Sequence, residues 1–389
     1  MAFAIEINQD VENIPYSDRK KIKAVADKRG DLVDLMSGNP DMEMPAFIKK
    51  KLKEKIDSVP MRYTDYYGLP ELRRRLSDRI RTDSGILIDP QEELLITHGV
   101  QEALYSVMRT ILRRGDEVLI PTPHYANYLL NTLACGAKPV FIPLEEKNGF
   151  IPRIKVLKEH LTPRTRMLIF SNPNNPLGIV WPDSTVEELA RFSRTNNLIV
   201  LVDEIYREFA QPEPPISIAS IPGMKERTFI FRGFSKTYFM MGLRVGYVIG
   251  PASVMHHVRQ LHYILLLCPS TLGQFGALAA LDCPEEEIKP LHWEFRKKLQ
   301  FLFKGIMEIK GVTCVPPNGT FYLFPNFSHF GMSSLDLSLK LIEEAGVATL
   351  PGTEFGSAGE GYLRLSVCAK MGQIEEGVRR LQKFAEKYS

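Results

Sequence analysis

Lys236 follows a short apolar run in Phe234-Ser235-Lys236-Thr237, and Arg244 comes eight residues later in Gly242-Leu243-Arg244-Val245-Gly246. A lysine at the end of a buried strand can have a lowered pKa and attack a carbonyl carbon to form a Schiff base. Taken alone, a Ser-Lys pair reads as an exposed loop lysine, because nearly every lysine is exposed. Arg244 changes the balance by returning a second cation to the same neighbourhood, suited to a phosphate. Asp203 ends the run Ile199-Val200-Leu201-Val202 and opens Asp203-Glu204-Ile205-Tyr206. An acid there needs a partner, since an unpaired buried carboxylate is costly. It can cap a helix, or it can face a cationic ring nitrogen with Tyr206 reaching a nearby oxygen. In Asn172-Pro173-Asn174-Asn175-Pro176-Leu177-Gly178 two Asn-Pro pairs make a rigid turn, either an ordinary one or one that holds an amide toward a ligand.

These groups fall at the ends of short apolar runs: Leu94–Thr97, Glu117–Ile120, Pro139–Pro143, Met167–Ser171, Leu198–Asp203, Thr228–Phe231 and Val245–Ile249. Helical stretches separate the runs. Alternation of buried strands with helices marks an α/β fold with a mostly parallel seven-stranded sheet flanked by helices, and ligands gather at the C-terminal ends of such strands. One site assembled from many loops is expected. Before the sheet come a Lys-rich helical stretch, Asp18–Arg29, and amphipathic helices at Pro45–Ile56 and Pro70–Ile80. After Pro290 a long helix, Trp293–Ile309, leads to strand-rich segments around Gly319-Thr320-Phe321-Tyr322 and Leu363–Val367. That stretch reads as a smaller α+β domain. The expected division is an arm at 1–45 packing with the small domain, a large domain at 46–289 and the small domain at 290–389.

The 389 residues are 44% hydrophobic and 24% charged, with 49 Lys and Arg against 46 Asp and Glu. That balance excludes a disordered tail and calls for neither nucleic acid nor an anionic membrane. Five scattered cysteines form no C-x-x-C pair, so no metal site is expected and a reducing compartment is. Met1 to Asp10 lack the apolar run of a signal peptide, and the greasy stretch Ile264–Cys268 is too short to cross a bilayer. Cytoplasm is the expected setting.

Taken in chain order, these groups resemble the pyridoxal-phosphate (PLP) aminotransferases of fold type I, class I and II, from Gly38 to about Arg364. The resemblance implies that Lys236 is the Schiff-base lysine and proton shuttle. Asp203 would face the pyridine nitrogen, and Asn175 and Tyr206 the ring's phenolic oxygen. Tyr125, in Pro123-His124-Tyr125-Ala126-Asn127-Tyr128, would stack on the ring. The turn Gly99-Val100-Gln101 and Arg244 would hold the phosphate at a helix N-terminus. Arg364, in Tyr362-Leu363-Arg364-Leu365, would clamp the substrate α-carboxylate, with the Gly38 loop beside it. Tyr63, in Arg62-Tyr63-Thr64-Asp65-Tyr66-Tyr67-Gly68-Leu69-Pro70-Glu71-Leu72-Arg73, would cross to the partner's PLP phosphate, implying a homodimer with shared sites.

Four positions depart from the frequent pattern. Val100 carries no hydroxyl, Leu177 stands where Thr is frequent, Leu243 where Trp is frequent, and Gly233 offers no hydroxyl to a phosphate. The implied activity moves an amino group from an L-amino acid to a 2-oxo acid by a ping-pong route. A PLP-dependent C–S β-lyase would use the same lysine, aspartate and arginine. A transcription-regulator effector domain would need a DNA-binding winged helix, and fewer than forty residues precede Gly38. Tyr16, Ser17, His124, Asn127 and Phe321 are the expected side-chain pocket. No dedicated second carboxylate-binding arginine shows in the sequence, which favours a broad, aromatic-tolerant substrate range over strict dicarboxylate use.

Overall fold

Residues 5–388 are described in the computed structural model; Met1–Ala4 of the expected arm and leader-free opening, and Ser389 of the expected small domain, lie outside the described residues. The chain forms a two-residue strand, β1 (Val33–Asp34), and then seven strands that coincide with the seven apolar runs. They are β2 (Leu94–Thr97), β3 (Glu117–Thr122), β4 (Lys138–Pro143), β5 (Thr165–Ser171), β6 (Ile199–Asp203), β7 (Thr228–Gly233) and β8 (Gly246–Ile249). The sheet order is β2-β8-β7-β6-β5-β3-β4. β8 is antiparallel to both of its neighbours and every other pair is parallel. β2, β3 and β8 are buried along their whole length. Helices cover both faces, which is why the runs read as continuous apolar stretches rather than alternating ones. The helix Val100–Ile111 shows how: it buries Ala103, Leu104, Val107 and Met108 on one side. Those residues share a core with Val118, Ile120, Phe229 and Phe231 of the sheet.

The remaining strands are short: β9 (Tyr322–Leu323), β10 (Val347–Ala348), β11 (Leu350–Pro351) and β12 (Leu363–Ser366). β11, β12 and β9 form an antiparallel sheet, while β10 pairs in parallel with β1. Val33 and Leu35 enter the same apolar cluster as Phe295, Leu299, Leu363, Leu365 and Leu381. The long helix begins earlier than the sequence suggests, spanning Glu285–Met307 with Pro290 inside it. Pro284 precedes the helix and Glu285, Glu286 and Glu287 fill its first turn. Acidic side chains there favour the start through the helix dipole, so Pro290 lies inside the helix rather than before it.

Candidate functional site

The one antiparallel strand of the seven-stranded sheet, β8, explains why a residue that precedes a strand joins residues that follow others. Gly246, the first residue of β8, pairs with Thr97 at the end of β2 and with Gly233 at the end of β7. Arg244 therefore comes to the same sheet edge as the Gly99 turn and Lys236. A Cβ on Gly246 would stand 3.0 Å from the backbone nitrogen of Val100, so its absence lets the turn lie against the strand. Gly99 has φ +78 and its missing Cβ would sit 2.6 Å from Arg244 Nη2. Arg244 itself has φ 51, a costly region for a residue with a side chain. Its Nη1 donates to the Met241 carbonyl at 3.1 Å. The helix Val100–Ile111 starts here with no side-chain cap from Gly99, leaving backbone N–H groups at its positive end. A side chain on Gly233 would press on the Gly246 Cα at 3.2 Å, which accounts for the lack of a hydroxyl at that position.

A cavity of about 580 Å³ opens beside this edge. Every residue to which the resemblance gave a catalytic, cofactor-binding or α-carboxylate role lines it except Gly99, whose missing Cβ abuts Arg244, and Tyr63. Lys236 Nζ donates to the Gly38 carbonyl at 2.8 Å. A side chain at Gly38 would run into the Tyr322 hydroxyl. The Gly38 loop is pinned from several sides: Asp34 accepts from the Met36 and Ser37 N–H groups at 2.8 and 3.0 Å, and Asp41 N–H donates to the Cys368 carbonyl at 2.8 Å. Asp203 accepts from the Ile205 N–H and from the Tyr128 hydroxyl, each at 3.1 Å. Burial outweighs those bonds and pushes its carboxyl up to about 6. Its neighbour Glu204 is also buried but does not line the cavity. Burial raises that carboxyl too, but the guanidiniums of Arg232 and Arg207 more than offset it, and Arg232 Nη2 lies 2.7 Å away.

Arg364 is 2% exposed. Its Nη1 donates to Asn175 Oδ1 at 3.3 Å and its Nη2 to the Met36 carbonyl at 2.7 Å, while Nε has no partner. The guanidinium lies over the rings of Tyr322 and Phe355, 4.2 and 5.0 Å from their centroids. No carboxylate among the described residues pairs with it. Burial lowers its pKa. Tyr206 and Tyr322 share a hydroxyl contact of 3.2 Å, and burial holds the Tyr206 hydroxyl well above its ordinary value. Tyr125 is pushed up to about 12 by burial, and its oxygen accepts from Asn127 Nδ2 at 2.8 Å.

None of the five residues expected to form the side-chain pocket lines the cavity in the single chain. Tyr16 is exposed, Ser17 donates to Glu354, His124 is buried against Thr122 and Asn127 bonds Gln101 and Tyr125. Phe321 is the instructive case. Alternation along a strand sends neighbours to opposite sides: Phe321 goes into the aromatic cluster with Tyr206, Phe209 and Phe295, while Tyr322 lines the cavity. Sequence reasoning also passed over Tyr128 and Arg19. Tyr128 had a readable signal, since it lies three residues beyond Tyr125 and enters the first turn of the helix Ala126–Ala134. Tyr63 stands apart on the surface, 82% exposed.

The arrangement fits PLP, the cofactor implied by the sequence resemblance. An anion cradle of helix N-terminus and Arg244, a buried acid with no ion-pair partner among the described residues, and an amine in the same cavity match a phosphate, a ring nitrogen and an aldehyde. The unbonded Nε of Arg364 leaves a donor for a carboxylate. Comparison with known proteins agrees. The chain is 34% identical over 370 residues to the aspartate aminotransferase of Pyrococcus abyssi, covering 94% of this chain and 95% of that one. It is 33% identical to aromatic-amino-acid aminotransferase 2 of Thermococcus litoralis over 97% of both. The crystal structure of an aromatic aminotransferase from Pyrococcus horikoshii superposes with a TM-score of 0.89 at 33% identity, over 94% of this chain and 99% of that chain. The family profile for aminotransferase class I and II matches residues 30–381, and with identity sustained over almost the whole length the chain belongs to that family of PLP-dependent, amino-group-transferring enzymes.

Proposed function

We propose that this cavity binds an L-amino acid and, in the second half of the cycle, a 2-oxo acid, with each predicted residue in the role its position suits. Bound PLP supplies an electron sink for the carbon that loses its proton. Lys236 holds the cofactor covalently and, once released, carries that proton on Nζ. Asp203 keeps the ring nitrogen positively charged, Tyr206 and the Asn175 amide donate to the ring oxygen, and Tyr125 covers the ring face. Arg244 and the N–H groups of Gly99, Val100 and Gln101 hold the phosphate. Arg364 and the Gly38 loop fix the α-carboxylate. One observation carries the reading: the buried guanidinium of Arg364, with an unbonded Nε and no carboxylate partner among the described residues, lines the same cavity as Lys236 and Asp203.

The test is a half-reaction. A donor amino acid added alone should give one equivalent of 2-oxo acid per site and then stop until an acceptor is supplied. Continuous pyruvate from a cysteine conjugate would point instead to the β-lyase.

The arm at 1–45, the large part at 46–289 and the small part at 290–389 are proposed as working units, supported by the pairing of β1 with β10. We place the protein in the cytoplasm on its scattered cysteines; no helix among the described residues is long and apolar enough to cross a membrane. A homodimer is supported by exposed apolar surface at Tyr63, Tyr66, Tyr263 and Ile264. Mixing Tyr63→Phe with Lys236→Ala chains gives dimers in which one site has both residues. At limiting PLP the mixture should outperform either parent. A chain that is monomeric and fully active would remove the shared site.

A further inference from the structure

Behind the Gly99 turn lies a buried network that the reading above does not use. The N–H groups of Gly99, Val100 and Gln101 donate to no partner among the described residues, whereas the N–H of His98, one residue earlier, donates to Glu102 Oε2 at 3.2 Å. The Thr97 hydroxyl closes the same turn by donating to the Gly99 carbonyl at 3.1 Å. Glu102 is the third residue of the helix Val100–Ile111, and its side chain is 12% exposed. Its other oxygen, Oε1, accepts from the Ser106 hydroxyl at 2.7 Å and lies 3.2 Å from Nδ1 of His262. His262 is fully buried on a second helix, Ala252–Leu266. Neither Glu102 nor His262 lines the cavity.

A carboxylate oxygen only accepts, so the imidazole hydrogen sits on Nδ1, and Nε2 keeps a lone pair that has no partner among the described residues. His262 thus commits its one donor to Glu102. Together with Ser106 it fixes the carboxylate, and the carboxylate fixes the His98 peptide from which the Gly99 turn starts. Without that anchor the glycine, at φ +78 and with Arg244 packed against it, has freedom to swing the following N–H groups apart. Resting on the assignment of the Gly99 turn and Arg244 as the phosphate cradle, we infer that Glu102 and His262 are positioning residues for the cofactor phosphate, holding the three free N–H groups of the turn in one direction without touching the cofactor. The helix Ala252–Leu266 thereby takes part in the site through a single imidazole.

The test compares PLP with pyridoxal, which shares the ring and the aldehyde but lacks the phosphate. The full chain, freed of cofactor, is titrated with each and followed by absorbance. Glu102→Ala should weaken PLP about fivefold, the factor that one hydrogen bond of about 1 kcal/mol gives, and leave pyridoxal unchanged. His262→Phe should do the same. His262→Asn, whose amide nitrogen stands near the place of Nδ1, should keep the wild-type ratio of the two affinities. A packing role alone predicts the opposite order, since Phe fills the space that Asn leaves open, and it lowers both affinities together. Equal losses for PLP and pyridoxal, an unchanged ratio in His262→Phe, or Asn no better than Phe would overturn the inference. Should Glu102→Ala fail to fold, the two His262 variants decide alone. Arg244→Met probes the reading beneath. If it affects PLP and pyridoxal equally, the cradle assignment has failed. If it weakens PLP alone while Glu102→Ala and His262→Phe leave the ratio unchanged, only the inference has.

Discussion

At the deep end of the cavity Asp203 sits on a strand paired in register on both sides, with Ser171 and Phe231 as neighbours. At the mouth Arg19 sits on an eight-residue helix whose start is held by two side chains, Glu354 on the Asp18 N–H and Ser17 on the Arg19 N–H. The deep wall is positioned by backbone ladders, and the acid there can move only if the sheet moves. The mouth is positioned by side-chain hydrogen bonds from partly exposed residues, each worth about 1 kcal/mol net. Under the proposed roles, the groups that would handle protons and charge on the cofactor are locked, whereas the mouth rests on contacts that single substitutions can re-aim.

The sharpest break comes at the deep wall. Lys236→Ala should abolish steady amino transfer while the chain stays folded and retains PLP noncovalently, because covalent attachment and proton movement reside on one amine. Circular dichroism and dialysis against PLP separate these outcomes, and near wild-type turnover would sink the assignment.

Asp203→Asn should cut kcat severely and sparing of PLP affinity should accompany it, since the phosphate cradle is untouched. The same variant has a signature in the cofactor-free protein. With a native value of about 6 against an ordinary 3.8, Asp203 keeps its proton in the fold after the unfolded chain has lost it. Wild type therefore loses stability as pH rises from about 4 to about 6, and the loss is complete above that window. Asn titrates in neither state. Urea unfolding should show the variant gaining on wild type by roughly 2–3 kcal/mol between pH 4 and pH 7, and a flat difference would contradict the buried, uncompensated carboxyl.

Tyr128→Phe sharpens the comparison by a smaller step. It removes a donor that favours the ionised acid, so the midpoint of that stability window should move up, by an amount corresponding to ~1 kcal/mol. A comparable change at the mouth, Ser17→Ala, should leave the midpoint where it is.

The deep wall was legible in the sequence because its residues sit at strand ends, where apolar runs stop and turn residues begin. Lys236, Asp203 and Asn175 are each marked this way, and the chain order of the three carries the resemblance. The mouth was not legible. Arg19 lies in a Lys-rich stretch with the look of a solvated face, and its place is set by Glu354, a residue more than three hundred positions away. Phe321 was expected in the pocket and Tyr322 was not singled out, for a different reason. A strand of two residues, Tyr322–Leu323, is too short for its pattern to reveal which neighbour faces inward.

The pairing of β1 with β10 also bears on how the enzyme is made. Arg29 donates to the carbonyl of Ile342 across 313 residues of sequence, and Val33 and Asp34 dock on Val347 and Ala348 beside it. During synthesis, from the N-terminus onward, Val33 and Asp34 emerge long before Val347 and Ala348 and cannot pair until those residues have left the ribosome. The central sheet has all its strands by Ile249 and can condense long before that. A nascent chain thus passes through a stage with a formed cofactor wall and a waiting, unpaired arm. Closing so long a loop is slow, so the pairing of β1 with β10 follows condensation of the sheet, and the mouth is assembled after the deep wall.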